Sequence, residues 1–125
     1  MQLSVTRDVE GKSGFCSVSI DDIVFIEFDR ILNRLYVHTI DNIYYTMGTL
    51  KYFVEGLNGC GYDFRLVDRN NAVHLLKIKR LDQKHKIAYF EEEISKKSKR
   101  CTIAYRNFDE VVTILEKLNQ PVVIA

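Results

Sequence analysis

Three short polar stretches hold the residue types that could do chemistry in this chain: residues 30–34, Asp68-Arg69-Asn70-Asn71, and Tyr105-Arg106-Asn107. Each combines Arg with Asn. A guanidinium is a planar fork of donors that fits a guanine edge or a phosphate, and a carboxamide fits an adenine edge. The candidates are therefore Asn33 and Arg34, Arg69 and Asn70, and Arg106 and Asn107. Every stretch also has a plain structural reading. Asp and Asn satisfy their own backbone, so the second stretch could be a capped turn and Asn33 could shape another. Asn107 could cap a helix. Taken singly, each stretch reads as a turn or a cap. Taken together in one short chain, they point to nucleic acid, with some side chains reading base edges and others holding phosphates.

The charge distribution agrees. The net charge is only +1 over 125 residues, but it is unevenly spread. Residues 77–106 hold ten Lys or Arg against four acids, whereas residues 1–74 hold seven against ten. A basic third of the chain is thus masked in the total, and a basic face is the electrostatic footprint of a nucleic-acid binder. Enzyme chemistry finds no support. His38, His74 and His85 lack metal-ligand spacing, and Cys16, Cys60 and Cys101 form no CxxC pair. There is no Gly-rich phosphate loop and no Ser or Cys nucleophile signature. The expectation is a non-enzyme needing no cofactor and no metal, with all three thiols in the core or partly buried. No window has the apolar length of a membrane span, and Arg7, Asp8 and Glu10 break any secretory signal, which places the expected site of action in the cytoplasm.

These stretches need a scaffold, and the rest of the sequence reads as one. The length suits a single domain over residues 1–125, and seven Tyr and seven Phe favour strands. Residues 3–6 and 15–19 form a first hairpin around Glu10-Gly11-Lys12. The apolar run at residues 23–28 is a central strand covered on at least one face. Residues 34–39 and 43–46 form a second hairpin about Asp41-Asn42. Thr49 and Leu50 open a helix that stops at Asn58-Gly59. Residues 73–81 read as a strand, and residues 86–90 return in a third hairpin. Residues 101–104 are a last strand. A terminal helix opens at Arg106 or Asn107, with Phe108, Val111, Val112, Leu115 and Leu118 as its apolar stripe. The tail Val122-Val123-Ile124-Ala125 packs on the core or frays, or else adds a strand or a dimer contact.

In order, these landmarks resemble the LytTR family of bacterial DNA-binding domains. Asp22-Ile23-Val24-Phe25-Ile26-Glu27 is similar to its first strand motif, Val37-His38-Thr39 to the next, and Thr49-Leu50 to its helix start. Phe64-Arg65, Asp68-Arg69-Asn70 and Val73-His74 stand at its most characteristic series, followed by Ile78-Lys79-Arg80-Leu81-Asp82 and Ala104-Tyr105-Arg106-Asn107. The resemblance covers roughly residues 15–118. The sequence departs from the pattern at Asp68, Asn70, His74 and Tyr105.

The resemblance implies a mainly β fold, an elongated β-β-β sandwich of about ten strands with two short helices. It implies a transcription regulator that binds double-stranded DNA through loops between strands. By motif position, Asn33 and Arg106 would read successive major grooves and Arg69 the minor groove between them. Arg34, Asn70 and Asn107 would hold the neighbouring phosphates. Repeated sites and a homodimer on DNA are implied as well, with regulation coming from a regulatory protein partner, from oligomerisation or from expression level. Most members follow a receiver domain, and this length resembles the stand-alone type; a domain of a longer protein reads the same way. The rival expectation is a protein-interaction module of the same fold without DNA binding, which Asp68 and the near-neutral charge favour.

Overall fold

A computed structural model describes residues 1–125, with eleven strands and two α-helices. The strands are β1 (Gln2–Thr6), β2 (Phe15–Ser19), β3 (Phe25–Asp29), β4 (Arg34–His38), β5 (Ile43–Thr46), β6 (Phe64–Asp68), β7 (Asn71–His74), β8 (Arg80–Asp82), β9 (Ile87–Tyr89), β10 (Arg100–Thr102) and β11 (Val123–Ile124). Helix α1 (Leu50–Gly59) follows β5, and α2 (Tyr105–Lys117) follows β10. Seven strands form one sheet in the order β2-β1-β5-β4-β3-β7-β6, and four form another in the order β10-β9-β8-β11. The β1–β2 hairpin joins its sheet through a single pair, Thr6 opposite Tyr45.

Two apolar clusters explain the layering. Along β3, Phe25 joins the cluster beneath α2 and the smaller sheet, with Val73, Leu81, Ala88, Phe108 and Val111. Its neighbour Ile26 joins the cluster beneath α1, with Leu35, Val37, Leu57 and Ala72. Successive residues of a strand point to opposite faces, so a strand buried on both faces must be apolar without alternation. That is why residues 23–26 form a continuous apolar run, which Glu27 interrupts. On the α2 side, Phe25 stacks between His38, at 4.1 Å between centroids, and Phe90, at 5.7 Å.

Most expected elements form where the pattern places them, and four details differ. Residues 73–81 are not one strand. A short 3-10 turn, Leu75–Lys77, separates β7 from β8, and the chain passes there from one sheet to the other. The stretch 68–71 is not an open loop. Asp68 ends β6, Asn71 begins β7, and only Arg69 and Asn70 make the turn. Helix α2 begins at Tyr105, behind Ala104, and Asn107 is not its cap. Cys101 is buried and Cys16 half-buried, but Cys60 is exposed just beyond α1. The tail supplies β11, which pairs parallel to β8.

Helix α1 starts as its sequence requires. The Thr49 hydroxyl accepts the Tyr52 N–H at 3.1 Å. Its end is fastened by Asn58, whose carboxamide donates to the Phe64 carbonyl and accepts the Phe64 N–H at 2.8 and 2.7 Å. No helix is long and apolar enough to cross a membrane.

Candidate nucleic-acid interface

Strand directions bring the three polar stretches to one edge. β3 runs antiparallel to both β4 and β7, with Asp29 opposite Arg34 and Glu27 opposite Asn71. The β3–β4 loop (residues 30–33) and the β6–β7 turn therefore leave the large sheet at the same end. A backbone bond ties them, from the Phe28 N–H to the Asn70 carbonyl at 2.8 Å.

The junction of β10 with α2 is fastened to that turn by a bulge. β6 pairs with β7 through Leu66 and Asp68, which leaves Val67 without a partner across the ladder. Its carbonyl instead accepts the Ala104 N–H at 2.8 Å and the Asn107 Nδ2–H at 3.0 Å. A bulge commonly re-aims a strand end in this way. Buried Asn71 adds a second tie, donating to the Thr102 carbonyl at 3.1 Å and to Thr102 Oγ1 at 2.8 Å. Asp68 is drawn into the same network. One carboxylate oxygen accepts the Arg69 N–H and the other accepts the Thr102 hydroxyl at 3.2 Å. The acid beside the turn thus serves as a brace.

The β3–β4 loop has its own frame. Asp29 Oδ1 accepts the N–H groups of Ile31 and Leu32 at 2.9 and 3.1 Å, an Asx turn. The Tyr36 hydroxyl donates to the other oxygen of Asp29. That bond holds the Asp29 carboxyl below its ordinary range and pushes the Tyr36 hydroxyl up to about 12. Asn33 closes the loop in the left-handed region, φ 53°, which Asn tolerates better than most residues. Arg34 donates from Nε to the Val9 carbonyl at 2.9 Å and from Nη1 to the Leu32 and Asn33 carbonyls at 3.3 and 3.0 Å. Two of its nitrogens are thus spent on the scaffold.

The remaining candidates differ from Arg34. Arg69 and Arg106 are exposed, and neither guanidinium makes a hydrogen bond or ion pair; the ion pairs of the chain involve His38, Arg65 and His85. The two arginines line one shallow hollow with Asp68, Asn70 and Tyr105. Arg69 also lines a second hollow with Asn33 and Thr49. Arg69 therefore stands between Asn33 on one side and Arg106 on the other. Asn70 is half-buried in the turn, and Asn107 spends its Nδ2 on β6.

The structure adds groups that the sequence pattern did not single out. Lys86 Nζ lies 5.6 Å from the centre of the Tyr105 ring and 4.5 Å from that of Phe108, a cation–π arrangement beside Arg106. Lys86 takes a left-handed backbone, φ 55°, which nothing in its sequence signals. Arg30, which stands in the first polar stretch but not among its candidates, is exposed in the β3–β4 loop and also unpartnered. Asp29, Tyr36, Asn71 and Thr102 brace the edge; Asp29, at a strand end before a turn, has a readable signature, Asn71 stands in the second polar stretch, and Tyr36 and Thr102 have none. Glu91, Glu92 and Glu93 lie beyond the opposite end of β9, since β9 meets Thr102 at Ile87 and Arg100 at Tyr89.

The model of the LytTr DNA-binding domain matches residues 13–116. The chain belongs to the LytTR DNA-binding domain family. A solved LytTR domain, from a methyl-accepting/DNA response regulator of Bacillus cereus, has the same fold. It superposes with a TM-score of 0.63 at 15% identity, covering 94% of this chain and 95% of that one. No curated protein matches. LytTR domains are DNA-binding modules and not catalysts, and no group of His, Cys, Asp or Glu in this one is disposed to hold a metal.

Proposed function

We propose that this LytTR domain is a cytoplasmic transcription regulator that binds double-stranded DNA with sequence preference. Its contacting elements would be the β3–β4 loop, the β6–β7 turn and the first turn of α2. The observation that carries the reading is the pair of exposed, unpartnered guanidinium groups, Arg69 and Arg106, on neighbouring and mutually fastened elements. A charge left without an internal partner on a rigid edge is preorganised for an external one. In this reading Asn33 and Arg106 address base edges and Arg69 the groove between them. Arg30 and Lys86 join the phosphate contacts, with Asn70 and Asn107 beside them. Arg34 contributes mainly by holding its loop. The first turn of α2 has no side-chain cap and no acidic residue, which suits a nearby phosphate. The domain would act on repeated sites as two copies, under the control of a protein partner.

The rival is a protein-docking module. It is favoured by Phe15 and Met47, which stand exposed around a hollow beside Arg34. Selection of duplexes from a random pool separates the two, followed by titration against salt. A DNA reader enriches a motif, and log affinity falls with log salt at a slope of about −0.9 per phosphate contacted. No enriched motif, with no binding even at low salt, ends the DNA reading.

A further inference from the structure

We propose that Ile31 reads the 5-methyl group of a thymine in the major groove, an inference that rests on the DNA reading above. Ile31 is 94% exposed, more than any other large apolar residue of the chain. A single exposed apolar residue is ordinary by itself; what sets this one apart is how it is held. This loop is not floppy. Asp29 holds the Ile31 and Leu32 N–H groups, Tyr36 holds Asp29, and Arg34 clasps the Leu32 and Asn33 carbonyls. Five hydrogen bonds therefore keep Ile31 at the tip, unable to fold back onto the sheet.

The surroundings select the partner. Ile31 and the less exposed Leu32 sit between Arg30 and Asn33, on the edge that carries Arg69 and Arg106. Groups that suit phosphates and base edges flank a short apolar tip in which Ile31 is the more exposed residue. Among the groove-facing groups of DNA, the thymine methyl is the apolar one, and it is displayed in the major groove. A loop that places Asn33 against base edges places Ile31, two residues earlier, within reach of the same groove. The polar neighbours would fix register, and Ile31 would add a preference for thymine over cytosine at one position.

The test uses the full chain and the duplex it selects. Each thymine is replaced in turn by deoxyuridine, which removes the methyl and leaves the pairing edge intact, and affinity is measured by fluorescence anisotropy. The expected result is one or two positions at which the native chain loses about fourfold, the value of one buried methyl group. Ile31→Ser should lose a similar factor on the thymine duplex and nothing more on the deoxyuridine duplex, so that the two changes fail to add. Ile31→Val should keep the methyl dependence. An Ile31→Ser protein with native affinity and an unchanged deoxyuridine profile overturns the inference, as does a flat profile for the native chain. In those cases Arg106→Ala would still lose its base preference, and the DNA reading would stand. A native chain that enriches no motif overturns both.

Discussion

Arg106 and Asn71 show how little the identity of a polar residue says about its role until its partners are known. Arg106 has an exposed, free guanidinium, whereas Asn71 is buried with its amide donated twice to Thr102. The two should fail in opposite ways. Arg106→Ala should relax the preference at one base position by about 1–3 kcal/mol and leave folding intact, read by selection with the variant beside a urea melt. Arg106→Lys should not restore it, because a point charge cannot reproduce the bidentate fork. Unchanged selectivity in Arg106→Ala would remove that residue from the readout. Asn71→Ala should cost about 0.5–1.5 kcal/mol of stability, because the tie from β7 to exposed Thr102 is lost while water can still reach Thr102. A urea midpoint equal to that of the native chain would show that the brace is redundant.

At the scale of elements, the edge depends on braces that the sequence conceals to different degrees. Hairpins and helices were legible because period-2 alternation, the Asp41-Asn42 turn and the Thr49 cap are local signals. The run at residues 73–81 misled because Val73, Leu75, Ile78 and Leu81 join one apolar cluster from both sides of a crossing, and composition does not mark where a strand changes sheets. The bulge at Val67 was invisible for a related reason: its purpose lies in the distant residues Ala104 and Asn107. The candidate residues were readable as types, but their division into free groups and braces was not. Arg34 illustrates the consequence. Arg34→Ala should weaken binding to every duplex alike while leaving the slope of log affinity against log salt almost unchanged, because the loss is one of loop geometry. Arg30→Ala should instead make that slope shallower by about 0.9, the mark of one lost phosphate contact. Identical salt slopes for Arg30→Ala and the native chain would remove Arg30 from the phosphate contacts.

At the scale of the whole molecule, two buried histidines stand where separate parts of the fold are joined, and they make stability depend on pH. His38 lies on β4, stacked on Phe25. It faces Glu27 on β3, which accepts from Nε2 at 2.9 Å, and Lys99 before β10, which donates to Nδ1 at 3.1 Å. His74 ends β7 at the crossing, stacks on Phe64 and holds the Ile23 carbonyl through Nδ1 at 2.8 Å. Burial pushes both below the ordinary imidazole range, and the Lys99 ammonium opposes a second positive charge on His38 although Glu27 favours it. The folded chain therefore binds these protons less readily than the unfolded chain does. Their neutral forms support the fold fully above about pH 6.5, and that support is lost as the pH falls below it, levelling off beneath the depressed folded values. The carboxylates of Asp8, Asp29 and Asp82 are also lowered, but they act further down, below about pH 4. Between those ranges the imidazoles dominate. Urea melts from pH 8 to pH 5 should show constant stability down to about pH 7, then a decline of at most about 1.4 kcal/mol per pH unit for each histidine. His38→Gln should make the decline shallower by removing the proton acceptor opposite Lys99. A stability profile that stays level from pH 8 to pH 5 would mean that both imidazoles titrate in the folded chain as they do in the unfolded one, and that neither joint is held by a neutral histidine.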